Sequence, residues 1–166
     1  MKNLTALIDN INEGFGRVVA YLILPMVFVV VYEVVARKIF QAPTEWGFDV
    51  TIYIYGAHFI LGFGYVMFHD AHVRIDVIYN FLPSTLRDWL KVITFIIFFI
   101  PFLVALTYTA VQYAAESWEI LEKGQSTWRP PLYIVKTVMP LGTALLLLQG
   151  ISNFIKDCAA LKGGDK

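Results

Sequence analysis

The chain has 166 residues, of which 58% are hydrophobic and 16% are charged, and its formal net charge is zero. Ordinary soluble domains carry about 25% charged residues, so the composition excludes an average soluble domain. The neutral balance gives no indication of nucleic-acid binding. Cys158 is the single cysteine, which excludes an internal disulfide and a cysteine-based metal site. We expect no cofactor and no bound metal.

Four long stretches with almost no charged residues define the fold class. Between Arg17 and Arg37 the one charged residue is Glu33, and residues 50–69, 92–115 and 137–155 contain none. Each stretch has the length that a helix needs to cross a hydrocarbon core of roughly 30 Å. The pattern predicts an all-α membrane protein with a single integral membrane domain over residues 1–166. Its four spans are expected at residues 17–39, 46–68, 88–115 and 133–155.

Residues 3–16, before the first span, have helical periodicity. One face is apolar and the charged residues lie away from it; this face comprises Leu4, Leu7, Ile8, Ile11 and Phe15. Such a segment is typical of an amphipathic helix in the membrane interface. No small-residue cleavage site follows the first apolar stretch, so it does not resemble a cleavable signal peptide. Pro25 predicts a kink within the first span.

The short turn before the second span contains signals for a helix start. Pro43 and Thr44 suit the first positions of a helix, and Glu45 and Asp49 complement the helix dipole. Within the span, three glycines permit close approach of a neighbouring helix, although their spacing is not GxxxG. These are Gly56, Gly62 and Gly64.

Lysine and arginine counts predict the orientation. If both termini share a side with the loop at 69–91, that side holds eight basic residues and the other side holds five. Because positive charge is retained on the cytoplasmic side, this bias favours both termini in the cytoplasm.

Two ionisable residues within the spans are candidates for function. Glu33 is interpreted as the local partner of Arg37, one helical turn later, in preference to a proton or ion site. His58 raises the alternative of a haem-binding anchor subunit of a respiratory redox enzyme. Since no other span contains a histidine at depth, a histidine hydrogen-bonded to a neighbouring helix is the favoured interpretation.

The stretch HDAHVRIDVIYNFLP at residues 69–83 concentrates charge between two spans. A metal site of histidines and aspartates is the alternative, but the spacing is not that of a known metal motif and Arg74 would repel a cation. We interpret the stretch as a structural turn at the membrane surface. Four tryptophans near predicted span ends fit an aromatic belt, namely Trp46, Trp89, Trp118 and Trp128.

Several stretches, in order, resemble a known family. ARKIF closes the first span, APTEW opens the second, and HDAHVRIDVIYNFLP forms the next turn. ESW ends the third span, and STWRPPLY with MPLG opens the fourth. The whole chain is similar to the small membrane subunit, the DctQ-like or Q subunit, of tripartite ATP-independent periplasmic (TRAP) transporters. Asp49 departs from the glutamate that many relatives carry.

The resemblance implies a bacterial inner-membrane protein without catalytic residues. Its partners would be a large membrane subunit (M), a periplasmic substrate-binding protein (P) and phospholipids. The large subunit would carry an organic acid with coupling sodium ions by an elevator-like motion, and this chain would be its fixed scaffold. Residues that match family positions are expected in scaffold, lipid-headgroup or subunit contacts: Arg37, Trp46, Asp49, His72, Arg74, Asp76, Trp118 and Pro140.

The two loops opposite the termini, residues 40–46 and 116–132, would then face the periplasm. Charged residues there are candidates for contact with the binding protein: Glu45, Glu116, Glu119, Glu122, Lys123 and Arg129. A redox-enzyme anchor and a small autonomous channel or transporter remain the alternatives. Haem or quinone absorbance would indicate the first, and activity without a large partner the second.

Overall fold

The computed structural model describes residues 2–69 and 83–163, and within these ranges it is helical with no β-strand. Four helical stretches are long and apolar enough to cross a membrane: Asn3–Lys38, Gly47–Phe68, Trp89–Glu119 and Leu132–Ala159. This confirms the predicted all-α class with four membrane-spanning helices. The helices are α1 (Lys2–Ala20), α2 (Ile23–Lys38), α3 (Gly47–Phe68), α4 (Ser84–Thr94), α5 (Ile100–Glu119), α6 (Leu132–Lys136) and α7 (Val138–Gly163).

The first helical stretch is interrupted between α1 and α2. Pro25 has no backbone N–H, so the carbonyl of Tyr21 cannot accept the usual bond from the residue four positions on. It accepts instead from the N–H of Leu24 at 3.1 Å. The hydrogen-bond ladder is therefore tightened at Tyr21 and Leu22, and this interruption lies where Pro25 predicts a disturbance of the helix.

The α1 helix turns its smaller and more polar side towards the bundle. This side packs against α3 and α7, and its buried residues are Thr5, Asn12 and Gly16 together with the aliphatic Ile8 and Val19. By contrast, Leu4 and Leu7 are more than half exposed. Apolar surface gains nothing from leaving lipid, so the polar side is the one that benefits from contact with other helices.

The α7 helix is the centre of the bundle and packs against α1, α3, α4 and α5. It approaches α3 closely at Gly142, where a side-chain carbon would overlap Ile60. On α3, Gly64 likewise leaves room for Asn12, as close helix approach requires. At Gly56 and Gly62 a side chain would meet no atom within 4 Å, so these two glycines have no close neighbour among the described residues of this chain.

A π-helical turn, Phe95–Phe99, joins α4 to α5 in one continuous helix. The N–H of Ile100 bonds to the carbonyl of Phe95, five residues earlier. Pro101 follows at the start of α5 and lacks an N–H, which fits a local change of the helical ladder. The Phe95 ring stacks on Phe154 of α7 at 4.7 Å between centroids, which ties this turn to the centre.

Candidate functional site

Glu33 lies at the end of α2 next to the start of α3. Arg37 Nη2 donates to Glu33 Oε1 at 2.8 Å, and the backbone N–H of Thr44 donates to Oε2 at 3.2 Å. The Thr44 hydroxyl also donates to Oε2 and accepts from the N–H of Gly47 at 3.1 Å. One carboxylate therefore neutralises an arginine and fixes Thr44, whose hydroxyl accepts from the first N–H of the next helix.

Trp46 stacks on Tyr32 of α2, with ring centroids 5.8 Å apart. Gly47 permits this close pairing of α2 and α3, because a side-chain carbon there would lie 2.8 Å from Glu33 Oε2. The turn between the two helices is thus held by ionic, hydrogen-bonded and aromatic contacts.

Asp49, in the first turn of α3, reaches the loop between α5 and α6. The hydroxyl of Ser126 donates a hydrogen bond to Asp49 Oδ2, across 77 positions of the chain. The turn before α3 and the loop after α5 therefore lie at the same end of the bundle, and this hydrogen bond joins α3 to the loop.

Glu122 lies in that loop and is bound internally. Lys136 of α6 forms an ion pair with Glu122 Oε2, and the Ser117 hydroxyl donates to the same oxygen at 2.7 Å. The hydrogen bond from Lys136, with a second from Ser117, lowers the pKa of Glu122. The Lys136 ammonium also lies 3.9 Å from the centre of the Tyr113 ring.

The backbone of the loop is closed on itself. At the end of α5, Leu121 adopts a left-handed φ of 46°, and the N–H of Glu122 bonds to the carbonyl of Ser117 at 3.0 Å. This is a Schellman arrangement with leucine where glycine is usual. Further on, the N–H of Gly124 bonds to the carbonyl of Pro130 at 2.7 Å.

Trp118 and Pro140 lie near the interruption between α6 and α7. The indole N–H of Trp118 donates to the Thr137 hydroxyl at 2.8 Å, and its ring meets Tyr133 edge-on at 4.6 Å. Pro140 cannot donate to the carbonyl of Lys136, which accounts for the break at Thr137. Trp118 thus connects α5 to the break between α6 and α7.

Of the six residues expected to meet a binding protein, five are exposed: Glu45, Glu116, Glu119, Lys123 and Arg129. Arg129 is held in a left-handed conformation, with φ of 48°. Glu122 differs, because its carboxylate is occupied by Lys136 and Ser117. It stabilises the loop and is not a free surface charge.

A second polar cluster, which the sequence did not reveal, lies at the opposite end of the bundle. Asp9 accepts hydrogen bonds from Gln149 at 3.0 Å and Ser152 at 2.9 Å, and its other oxygen lies 2.7 Å from Lys156 Nζ. Gln149 and Ser152 are fully buried. Asn153 extends the cluster by donating to the carbonyl of Met67 on α3 at 3.3 Å. We call these five side chains, Asp9, Gln149, Ser152, Asn153 and Lys156, the α1–α7 cluster.

Two histidines also connect helices. His58 Nδ1 lies 3.0 Å from the carbonyl of Val19, so it links α3 to α1 in the manner expected of a structural histidine. His69 Nε2 lies 2.8 Å from Glu13 Oε2, beside the Arg17 pair of the same glutamate. His72, Arg74 and Asp76 lie outside the described residues.

The chemistry of these sites is that of helix attachment. Within residues 2–69 and 83–163, no group of three or more His, Cys, Asp or Glu side chains has the arrangement of a metal site. The carboxylates of Asp9, Glu33 and Glu122 each bind a basic side chain and at least one further donor. Polar groups are used to hold α1, α3, α6 and α7 together.

Comparison with known proteins gives the family. The sequence model described as "Tripartite ATP-independent periplasmic transporters, DctQ component" matches residues 26–160, which covers most of α2, all of α3 to α6 and most of α7. No curated protein matches the chain. The extent of the family match shows that the chain belongs to the DctQ family, the small membrane subunits of TRAP transporters.

Proposed function

We propose that this chain is the fixed scaffold of a sodium-coupled TRAP transporter for an organic acid, and that the large membrane subunit moves against it. The family match over residues 26–160 carries the proposal. The contacts within the bundle support a rigid role, since polar side chains at both ends bind partners on other helices. Family membership also favours a transporter subunit over the redox-enzyme anchor.

The scaffold role has a direct functional test. The large subunit and binding protein would be reconstituted in liposomes with and without this chain, and uptake of radiolabelled organic acids measured with an inward sodium gradient. We expect uptake that requires this chain and collapses without the gradient. Equal uptake without this chain would contradict the scaffold role. Uptake that does not depend on the sodium gradient would contradict sodium coupling.

We place the protein in the bacterial inner membrane with both termini in the cytoplasm. The basic-residue bias supports this orientation. It would put the turn after α2 and the loop after α5 in the periplasm, where the binding protein is found. Accessibility of single cysteines to an impermeant thiol reagent tests it: in a Cys158→Ser background, Glu119→Cys should react from outside intact cells and Asn10→Cys should not. The reverse pattern would invert the topology.

We further propose that Glu45, Glu116, Glu119, Lys123 and Arg129 contact the binding protein, with Glu122 serving as the internal brace of their loop. The exposure of these five side chains supports their role in docking. The ion pair with Lys136 supports the internal role of Glu122. Glu119→Lys and Arg129→Glu should raise the binding-protein concentration needed for half-maximal uptake. Asn10→Lys, at an exposed position near the opposite end of the bundle, is the control. Unchanged concentration dependence in the loop variants would remove this docking surface.

Arg37, Trp46, Asp49, Trp118 and Pro140 are proposed to act within the scaffold, in contacts to lipid headgroups or to the large subunit, and the same is proposed for His72, Arg74 and Asp76. For the described residues the support is local: Asp49 and Trp118 bind other elements of this chain, and Trp46 stacks on Tyr32 of α2. Their substitution should weaken assembly and leave substrate preference unchanged.

A further inference from the structure

An open groove of about 370 Å³ lies between the last turns of α2 and the first turn of α3. Its apolar lining includes Val30, Val34 and Phe48, each of which is more than 40% exposed. Arg37 and Lys38 also line it. The groove thus combines an apolar wall, accessible from the membrane, with two cationic side chains at the end of α2.

The charge in the groove is positive. Glu33 also lines it, but its carboxylate already accepts bonds from Arg37 and from Thr44. Lys38 is exposed, and it has no ion-pair partner within the described parts of the chain. Arg37 keeps 59% of its side chain exposed while it binds Glu33. One uncompensated positive charge therefore remains beside the apolar wall.

The groove lies at the level of the lipid headgroups. α2 ends at Lys38, and the stacked rings of Tyr32 and Trp46 lie next to this end. Amphipathic aromatic rings are enriched at the level of the lipid headgroups, and lysine and arginine near helix ends extend to the same level. The cations are thus placed at phosphate depth, and Val30, about two turns earlier, lies towards the hydrocarbon.

We propose that this groove binds one anionic phospholipid, with its phosphate at Arg37 and Lys38 and an acyl chain along Val30, Val34 and Phe48. This deepens the lipid contacts of the proposed function and rests on them. The volume falls within the roughly 300–1,000 Å³ of typical small-ligand sites, enough for a headgroup and the adjoining part of a chain. A partner helix would have to bring an acidic side chain to this depth, whereas anionic phospholipids present a phosphate there.

The test is native mass spectrometry of the delipidated full chain in detergent, titrated with phosphatidylglycerol or with phosphatidylcholine of the same acyl chains. The wild type should retain one phosphatidylglycerol more tightly than phosphatidylcholine. Lys38→Gln should weaken phosphatidylglycerol binding about fivefold, the usual contribution of one basic residue at a membrane surface. Lys123→Gln, an exposed lysine outside the groove, is the matched control and should bind as the wild type does.

A second variant tests the apolar wall. Phe48 is 68% exposed, so Phe48→Ser leaves no buried cavity and should weaken binding of both lipids. Equal affinity of the wild type for the two lipids, or unchanged phosphatidylglycerol binding in Lys38→Gln, would overturn the proposal. So would loss of the large subunit from purified Lys38→Gln complexes with lipid binding intact, since the groove would then be a subunit contact. Failure of the scaffold role would leave these lipid affinities unaffected. Failure of the lipid proposal can therefore be distinguished from failure of the scaffold proposal.

Discussion

Asp9 Oδ2 lies 2.7 Å from Lys156 Nζ, and this ion pair joins the first helix of the chain to the last. The other carboxylate oxygen of Asp9 accepts from Gln149 and Ser152, both fully buried in α7. Between membrane helices, polar contacts and close packing replace the hydrophobic effect as the source of association. The α1–α7 cluster therefore fixes where α1 lies in the bundle.

Asp9→Ala should lower the stability of the protein by about 1–2 kcal/mol, because interhelical hydrogen bonds in membranes average about 0.6 kcal/mol each and Asp9 has three partners. Thermal unfolding in detergent, followed by circular dichroism, measures the change. Asn10→Ala is the control, on the exposed side of the same helix. Identical midpoints for the two variants would show that the cluster does not hold α1.

Gly142→Ala should destabilise the contact of α7 with α3 by about 1–3 kcal/mol, the usual range for overpacking. The added carbon would overlap the backbone carbonyl of Ile60, which cannot rotate away as a side chain can. Gly62→Ala on α3 is the matched control, because its new carbon meets nothing within 4 Å. We expect its thermal midpoint to be unchanged or slightly raised, since alanine favours helix. A wild-type midpoint for Gly142→Ala would contradict this packing.

The loop after α5 should become less stable at acidic pH. Because Lys136 and Ser117 lower the pKa of Glu122 from its ordinary 4.5, the stabilisation is complete above about pH 4.5 and is lost as pH falls through the folded-state pKa. Glu122→Gln should thus show a smaller fall of thermal midpoint between pH 7 and pH 3 than the wild type. Glu119→Gln, an exposed carboxyl on the same side, should behave as the wild type. An equal fall in wild type and Glu122→Gln would refute the role of this ion pair.

Leu121→Gly should raise stability by about 1 kcal/mol. The left-handed conformation of Leu121 costs a branched residue about 1–3 kcal/mol, part of which is offset by the greater freedom of glycine in the unfolded chain. The side chain is 57% exposed, so little burial is lost. Ile120→Gly tests the reasoning, because Ile120 has an ordinary φ of −92° and should gain nothing. A loss of stability in Leu121→Gly larger than that in Ile120→Gly would contradict it.

The four spans could be predicted from the sequence because each charge-free run has the length that a helix needs to cross the hydrocarbon core. Pro25 was similarly informative, since the loss of an N–H disturbs any helix. The side of α1 that faces the bundle was harder to predict. Leu4 and Leu7 look like an inward face by the rules of water-soluble proteins, yet both are exposed, and of the predicted apolar face only Ile8 is buried, together with Thr5 and Asn12.

The partners of the polar side chains could not be predicted from spacing. Glu33 and Arg37 are one turn apart, so their pairing follows from helical periodicity. Ser126 binds Asp49 across 77 positions, and Lys136 binds Glu122 across 14, which depends on how the helices assemble. For this reason Glu122 resembled a surface charge in the sequence although it is an internal brace.

The central claim, that this chain is the scaffold of a larger transport subunit, is tested most directly by co-purification. The chain, tagged at its C-terminus, would be extracted from its native membrane in mild detergent, and its companions identified and counted by mass spectrometry. We predict one stoichiometric polytopic membrane partner of about a dozen spans, without absorbance from haem or quinone. A redox enzyme as the main companion, or a chain that purifies alone and transports in liposomes, would contradict the scaffold role.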